Sequence, residues 1–209
     1  MPVLAQTPSS PGTSAPSGNA RSASVNDPRP VLLVVGDSLS AEYGLSRGTG
    51  WVQLLQRRLE ERGHRYRIVN ASISGETSAG GANRIEGLLK RQRPSIVIIE
   101  LGGNDALRGL DLAATRANLS NMASRSKEIG AQVLMLGMRM PPNYGTSYGE
   151  GFARMFVEVA RDTGSNLVPF FLEDIGERFE YFQSDRIHPN ESAQPLMLER
   201  VWPALAPLL

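Results

Sequence analysis

Two histidines occur in this 209-residue chain, His64 and His188, and one stands in a pattern with chemical consequences. In Asp185-Arg186-Ile187-His188-Pro189 a carboxylate lies three residues before an imidazole. Folded back within one turn, such an aspartate accepts a hydrogen bond from Nδ1–H, fixes the tautomer and leaves Nε2 free to take a proton. His64, within Glu61-Arg62-Gly63-His64-Arg65, falls at a polar junction and reads as solvated and inert. A base of this kind needs a nucleophile. There is no cysteine, which excludes thiolate catalysis, disulfides and cysteine-ligated zinc. Serine remains, and Ser38 is the best placed. It follows Val31-Leu32-Leu33-Val34-Val35, an apolar, largely β-branched run that reads as a strand buried on both faces. Gly36-Asp37-Ser38 then stops that strand abruptly. Open α/β sheets place their chemistry just beyond the carboxyl ends of their strands, so Ser38 would stand on an exposed lip. Taken singly, each feature also has a bland reading: Ser38 as a helix N-cap, Asp185 and His188 as a surface pair.

Two further loops belong to the same expected lip. They are Asn70-Ala71-Ser72-Ile73-Ser74-Gly75-Glu76-Thr77 and Gly102-Gly103-Asn104-Asp105. Acyl transfer needs donors aimed at the oxyanion of a tetrahedral intermediate. The N–H groups of Ser38 and Gly75 and the Asn104 side-chain amide could supply three. As isolated stretches, both loops are also ordinary turn chemistry. Gly145-Thr146-Ser147-Tyr148-Gly149 matches the G-x-S-x-G nucleophile elbow, but that elbow must leave a strand directly. The preceding Pro141-Pro142-Asn143-Tyr144 cannot be a central strand, so Ser147 is set aside.

The elements that must position these residues alternate regularly. The spacing predicts strands at Val31–Val35, Tyr66–Asn70, Ile96–Leu101, Val133–Gly137 and Asn166–Phe170. Helices are predicted from Trp51 to Gly63, over Ala79–Arg91, from Leu112 to Gly130, through Phe152–Val159 and over Ala193–Ala206. Alternating βα units imply right-handed crossovers and a three-layer α/β/α sandwich. Residues 1–30, rich in Pro, Ser, Ala and Gly, read as a disordered segment without an intact signal peptide, and 31–209 as one domain.

Composition narrows the partners. With 22 basic and 21 acidic side chains the formal net charge is +1, which gives no electrostatic reason to expect nucleic acid. No apolar run is long enough for stable membrane insertion.

Gly36-Asp37-Ser38-Leu39, the loop Gly75, Gly102-Gly103-Asn104-Asp105 and Asp185-x-x-His188 resemble, in order, the four sequence blocks of the SGNH (GDSL) hydrolases. The resemblance runs from Val31 to Leu208, and is nearest to the TesA-type bacterial thioesterase I/protease I/lysophospholipase L1 group and its arylesterase relatives. It implies a flavodoxin-like α/β fold with a five-stranded parallel sheet in order 2-1-3-4-5. It implies Ser38 as nucleophile, His188 as base, Asp185 as its orienting carboxylate, and Ser38, Gly75 and Asn104 as the oxyanion hole. It further implies no cofactor and no metal, a small ester or thioester substrate with an acyl chain, a monomer, and a periplasmic or secreted location. Asp37 is expected to organise its turn rather than touch substrate. Leu107, Leu110, Met138, Met140 and Pro141 could line an acyl groove, although apolar residues at strand ends are more often core. Two other readings stay open from the residues alone: a metal-dependent phosphoesterase built on Asp37, Asp105 and Asp185, and a non-catalytic acyl-binding module on the same scaffold.

Overall fold

Along β1 (Val31–Gly36) successive side chains point to opposite faces, and both faces are covered. Leu33 and Val35 enter one core, Leu32 and Val34 the other. The structure is a computed structural model that describes residues 27–140 and 144–209. The expected disordered segment lies outside the described residues up to position 26, as does Pro141.

The sheet is parallel, in the order β2-β1-β3-β4-β5, with β2 at Arg67–Asn70, β3 at Ile96–Glu100, β4 at Gln132–Leu136 and β5 at Asn166–Val168. The expected order and sandwich are thus what the chain adopts. In β3 the split repeats: Val97 and Ile99 face one core, Ile96 and Ile98 the other. In β4, Val133 and Met135 oppose Leu134 and Leu136 in the same way. On one side, α1 (Trp51–Glu61) and α6 (Gln194–Leu205) close the core with Trp51, Leu55, Leu59, Met197 and Val201. On the other, α2 (Ser78–Gln92), α4 (Leu112–Glu128) and α5 (Thr146–Thr163) contribute Ile85, Leu119, Met122, Phe152 and Phe156. Truncating a fully buried phenylalanine such as Phe152 to alanine costs roughly 3–5 kcal/mol.

Boundaries follow local chemistry. Thr77 caps α2 by accepting from the Gly80 N–H, and Asp111 caps α4 by accepting from the Ala113 N–H. Strand β5 stops at Val168, two residues short of the expected Phe170. Pro169 has no N–H to offer the ladder, and its carbonyl packs so close to Gly137 that a Cβ there would lie 2.5 Å away. The stretch Gly102–Asp105 is not wholly loop: α3 (Gly103–Leu107) is a single helical turn. Gly102 starts it at φ 116, a conformation that favours glycine, with the Phe156 ring filling the space where a side chain would begin.

Candidate active site

The chain leaves β1 at Gly36 and turns at once. The N–H groups of Ser40 and Ala41 both donate to the Asp37 carbonyl, and the Asp37 side chain accepts from the Leu39 N–H at 3.0 Å. This tight turn lifts Ser38 to the lip, half-buried, while Asp37 and Ser40 on either side are buried. Asp37 therefore organises its turn, as expected.

His188 arrives from the far end of the chain. Its Nε2 lies 2.9 Å from Ser38 Oγ, across 150 positions of sequence. Its Nδ1 lies 2.7 Å from Asp185 Oδ2. The other carboxylate oxygen of Asp185 accepts from the backbone N–H groups of Ile187 and His188, at 2.9 and 3.0 Å. The loop is a narrow hairpin closed by a bridge between Phe182 and Pro189, and Arg186 at its tip adopts φ 57. What little burial Asp185 has pushes its carboxyl up. The donors from His188 and Ile187 more than offset this and hold it at about 2. An ionised carboxylate facing Nδ1 leaves Nε2 to receive a proton from the serine hydroxyl.

The remaining two loops close on the same lip. Gly75 is exposed at φ 78, and among the described residues neither its N–H nor that of Ser38 donates to a protein acceptor. Arg108 Nη2 holds the Gly75 carbonyl at 3.0 Å, which ties this loop to the end of α3. The Asn104 amide is half-buried beside it. Its Nδ2 donates to Asp37 Oδ2 at 3.0 Å and to the Glu76 carbonyl at 3.1 Å. Both hydrogens of that amide are thus engaged within the protein.

Other sequence candidates fall elsewhere. Ser147 is exposed in the first turn of α5 and follows no strand. Asp105 accepts from Ser78 N–H, Ser78 Oγ and Thr115 Oγ1, so it fastens α2 to α3 and α4 rather than facing the lip. Among the described residues no three His, Cys, Asp or Glu side chains are grouped to hold a metal ion. His64 is not freely solvated: it is half-buried and meets the Trp202 ring edge-on, beside Arg58 and Arg62. Leu107 and Leu110 are exposed, Met140 packs half-buried against the core, and Met138 is core.

Three contributors were not legible. Tyr43 lays its ring against His188, 4.4 Å between centroids. Gln183 donates from Nε2 to the Tyr43 and Pro189 carbonyls, joining the nucleophile loop to the histidine loop. Glu100 ends β3 fully buried behind the nucleophile turn. Of these only Glu100 carried a signal, a charged residue closing an otherwise apolar strand.

Residues 34–194 match the model of the GDSL-like lipase/acylhydrolase family. The chain is 54% identical over 179 residues to the esterase TesA of Pseudomonas aeruginosa, covering 86% of this chain and 89% of that protein. It is 39% identical to the thioesterase 1/protease 1/lysophospholipase L1 of Escherichia coli, over 86% and 85% of the two chains. A solved structure of the psychrotrophic esterase EstA from Pseudoalteromonas sp., inhibited by monoethylphosphonate, superposes with a TM-score of 0.81 at 38% identity, covering 85% of this chain and 97% of that one. A family match over most of the domain, with relatives of this identity along nearly their whole length, leaves one assignment: this chain belongs to the GDSL-like lipase/acylhydrolase family, and it is an ester hydrolase.

Proposed function

We propose that the chain hydrolyses carboxylic esters and acyl thioesters through an acyl-enzyme on Ser38. The observation that carries this reading is the run of contacts Ser38 Oγ–His188 Nε2, 2.9 Å, and His188 Nδ1–Asp185 Oδ2, 2.7 Å. Ser38 Oγ attacks the acyl carbonyl as its proton passes to His188 Nε2. The carbonyl π pair moves onto oxygen, and the oxyanion is received by the N–H groups of Ser38 and Gly75 and by Asn104. That charged oxygen is a stronger acceptor than the neutral Glu76 carbonyl, so it draws the hydrogen Asn104 lends to Glu76. Collapse expels the alcohol or thiol, which takes the proton from His188. Water, deprotonated by His188, repeats the addition and releases the acid and Ser38.

The acyl chain is proposed to lie over Leu107, Leu110 and Met140, with Pro141 beside them, because Leu107 and Leu110 stand exposed just past α3. Aryl and alkyl esters, acyl-CoA and lysophospholipids are the substrate classes this reading covers. The enzyme acts as a monomer, without nucleic acid, and the family resemblance supports a periplasmic or secreted location. No helix among the described residues is long and apolar enough to cross a membrane.

Labelling with a fluorophosphonate followed by peptide mass spectrometry tests the nucleophile, with the adduct expected on Ser38. An adduct on Ser147, or turnover kept by Ser38→Ala, would reject it. A panel of p-nitrophenyl esters and acyl-CoAs of increasing length reads the groove. Asn104→Ala is expected to lower kcat by about 10²–10³.

A further inference from the structure

We propose that Glu100 is a positioning residue: a buried acid that braces the nucleophile turn from behind and, through Asp37, aims the Asn104 amide at the lip. This rests on the reading of Asn104 as an oxyanion donor.

The register of the sheet sets Glu100 directly beside Gly36 on the neighbouring strand. Any side chain at position 36 would collide with it, since a Cβ there would lie 2.6 Å from Glu100 Oε2. That oxygen accepts from the Asp37 N–H at 3.2 Å and from Ser40 Oγ at 2.7 Å. Ser40 Oγ in turn accepts from Trp51 Nε1 at 3.2 Å. The second oxygen, Oε1, is buried with no partner among the described residues. An ionised Glu100 would therefore leave a bare, charged oxygen in the core, next to another acid.

A neutral Glu100 removes the conflict. Protonation takes the charge off Glu100 and leaves the single negative charge of the pair on Asp37. Burial raises both groups, and the negative charge of Asp37 raises Glu100 further, so that Glu100 stands well above the usual carboxylate range and Asp37 at about 6. The titratable groups acting on the pair are each other and His188, whose positive form lowers Asp37. The Asp37 carboxylate can then accept from Leu39 N–H through Oδ1 and from Asn104 through Oδ2. Glu100, Asp37 and Asn104 form one line from the end of β3, through the serine turn, to α3. Each link spans more than sixty positions of sequence except the step within the turn itself.

A double-mutant cycle tests this with Glu100→Leu, Glu100→Gln, Asn104→Ala and the Glu100→Leu/Asn104→Ala pair, measuring kcat, KM and the pH profile of each. Glu100→Leu is expected to lower kcat about 10- to 100-fold at steady KM, through a misplaced donor. It should also move the acidic limb of kcat to higher pH, because an apolar neighbour in place of a polar one further disfavours the charged form of Asp37. Glutamine has the shape of the neutral acid, so Glu100→Gln should recover most of the loss. With Asn104 already alanine, Glu100→Leu should cost less than about threefold. An undiminished cost in that background overturns the inference while sparing the oxyanion reading. A nearly normal Asn104→Ala overturns the oxyanion reading, and the route through it. If Glu100→Leu does not fold, infrared spectra of the native enzyme and Glu100→Gln decide. A protonated-carboxyl stretch at pH 8, absent from Glu100→Gln, is expected. Its absence from the native enzyme overturns the inference.

Discussion

Asp185 and Asp37 are the same residue type and both serve Ser38, Asp37 as its chain neighbour and Asp185 through His188, yet their surroundings drive them in opposite directions. Asp185 is exposed on a hairpin and meets three donors supplied by Ile187 and His188, which hold it at about 2. Asp37 is 3% exposed, and burial raises it to about 6. The first carboxylate is held by local backbone geometry. The second depends on partners brought in by the sheet. A single residue type therefore serves the nucleophile's partner from outside and the nucleophile's turn from inside, and the two should fail differently when disturbed.

Asp185→Asn gives the sharpest break. An amide cannot stabilise the imidazolium and favours the wrong tautomer, so kcat should fall by about 10⁴ while the melting temperature barely moves. Loss of fold with loss of activity would mean that the outer pair is also structural. Tyr43→Ala removes the ring against His188 but no hydrogen bond from the triad. We expect kcat to drop about tenfold, with fluorophosphonate still reacting at Ser38.

The inner pair should answer in stability. Gly36→Ala drives a methyl into Glu100 and should cost about 1–3 kcal/mol in urea unfolding. The pH response separates the regions by sign. Asp37 ionises near 3.8 when unfolded and about 6 when folded, so the folded state holds more protons between those values. Stability attributable to Asp37 should fall as pH rises from about 4 to 6, relative to Asp37→Asn. Asp185 is depressed, so its contribution is present above pH 3.8 and is lost as pH falls toward 2. Exposure makes that second effect the smaller of the two. Parallel unfolding midpoints for the two variants across pH 3–7 would erase the distinction.

The same contrast explains what could be read from the residues. Asp185 and His188 were legible because their contact is local: three positions apart, one turn suffices. The strand runs at Val31 and Ile96 were legible because burial on both faces demands unbroken apolar side chains. Glu100, the dual engagement of Asn104 and the Gln183 tie were not, because their partners lie 28 to 140 positions away and exist only once the sheet has set its register. Helix α3 is illegible for another reason. Gly102 and Gly103 read as turn residues, whereas the close approach of Phe156 and Met138 to those positions is what excludes side chains there.

The hairpin bridged at Phe182 and Pro189 carries acid and imidazole together, and Gln183 moors it to Tyr43. Tilting that hairpin would carry the Asp185–His188 contact along as one piece and change chiefly one gap, from Nε2 to Oγ. Reaction speed in such a molecule can be tuned mechanically, by the slack in one tether, without rewriting any of the acid–base chemistry.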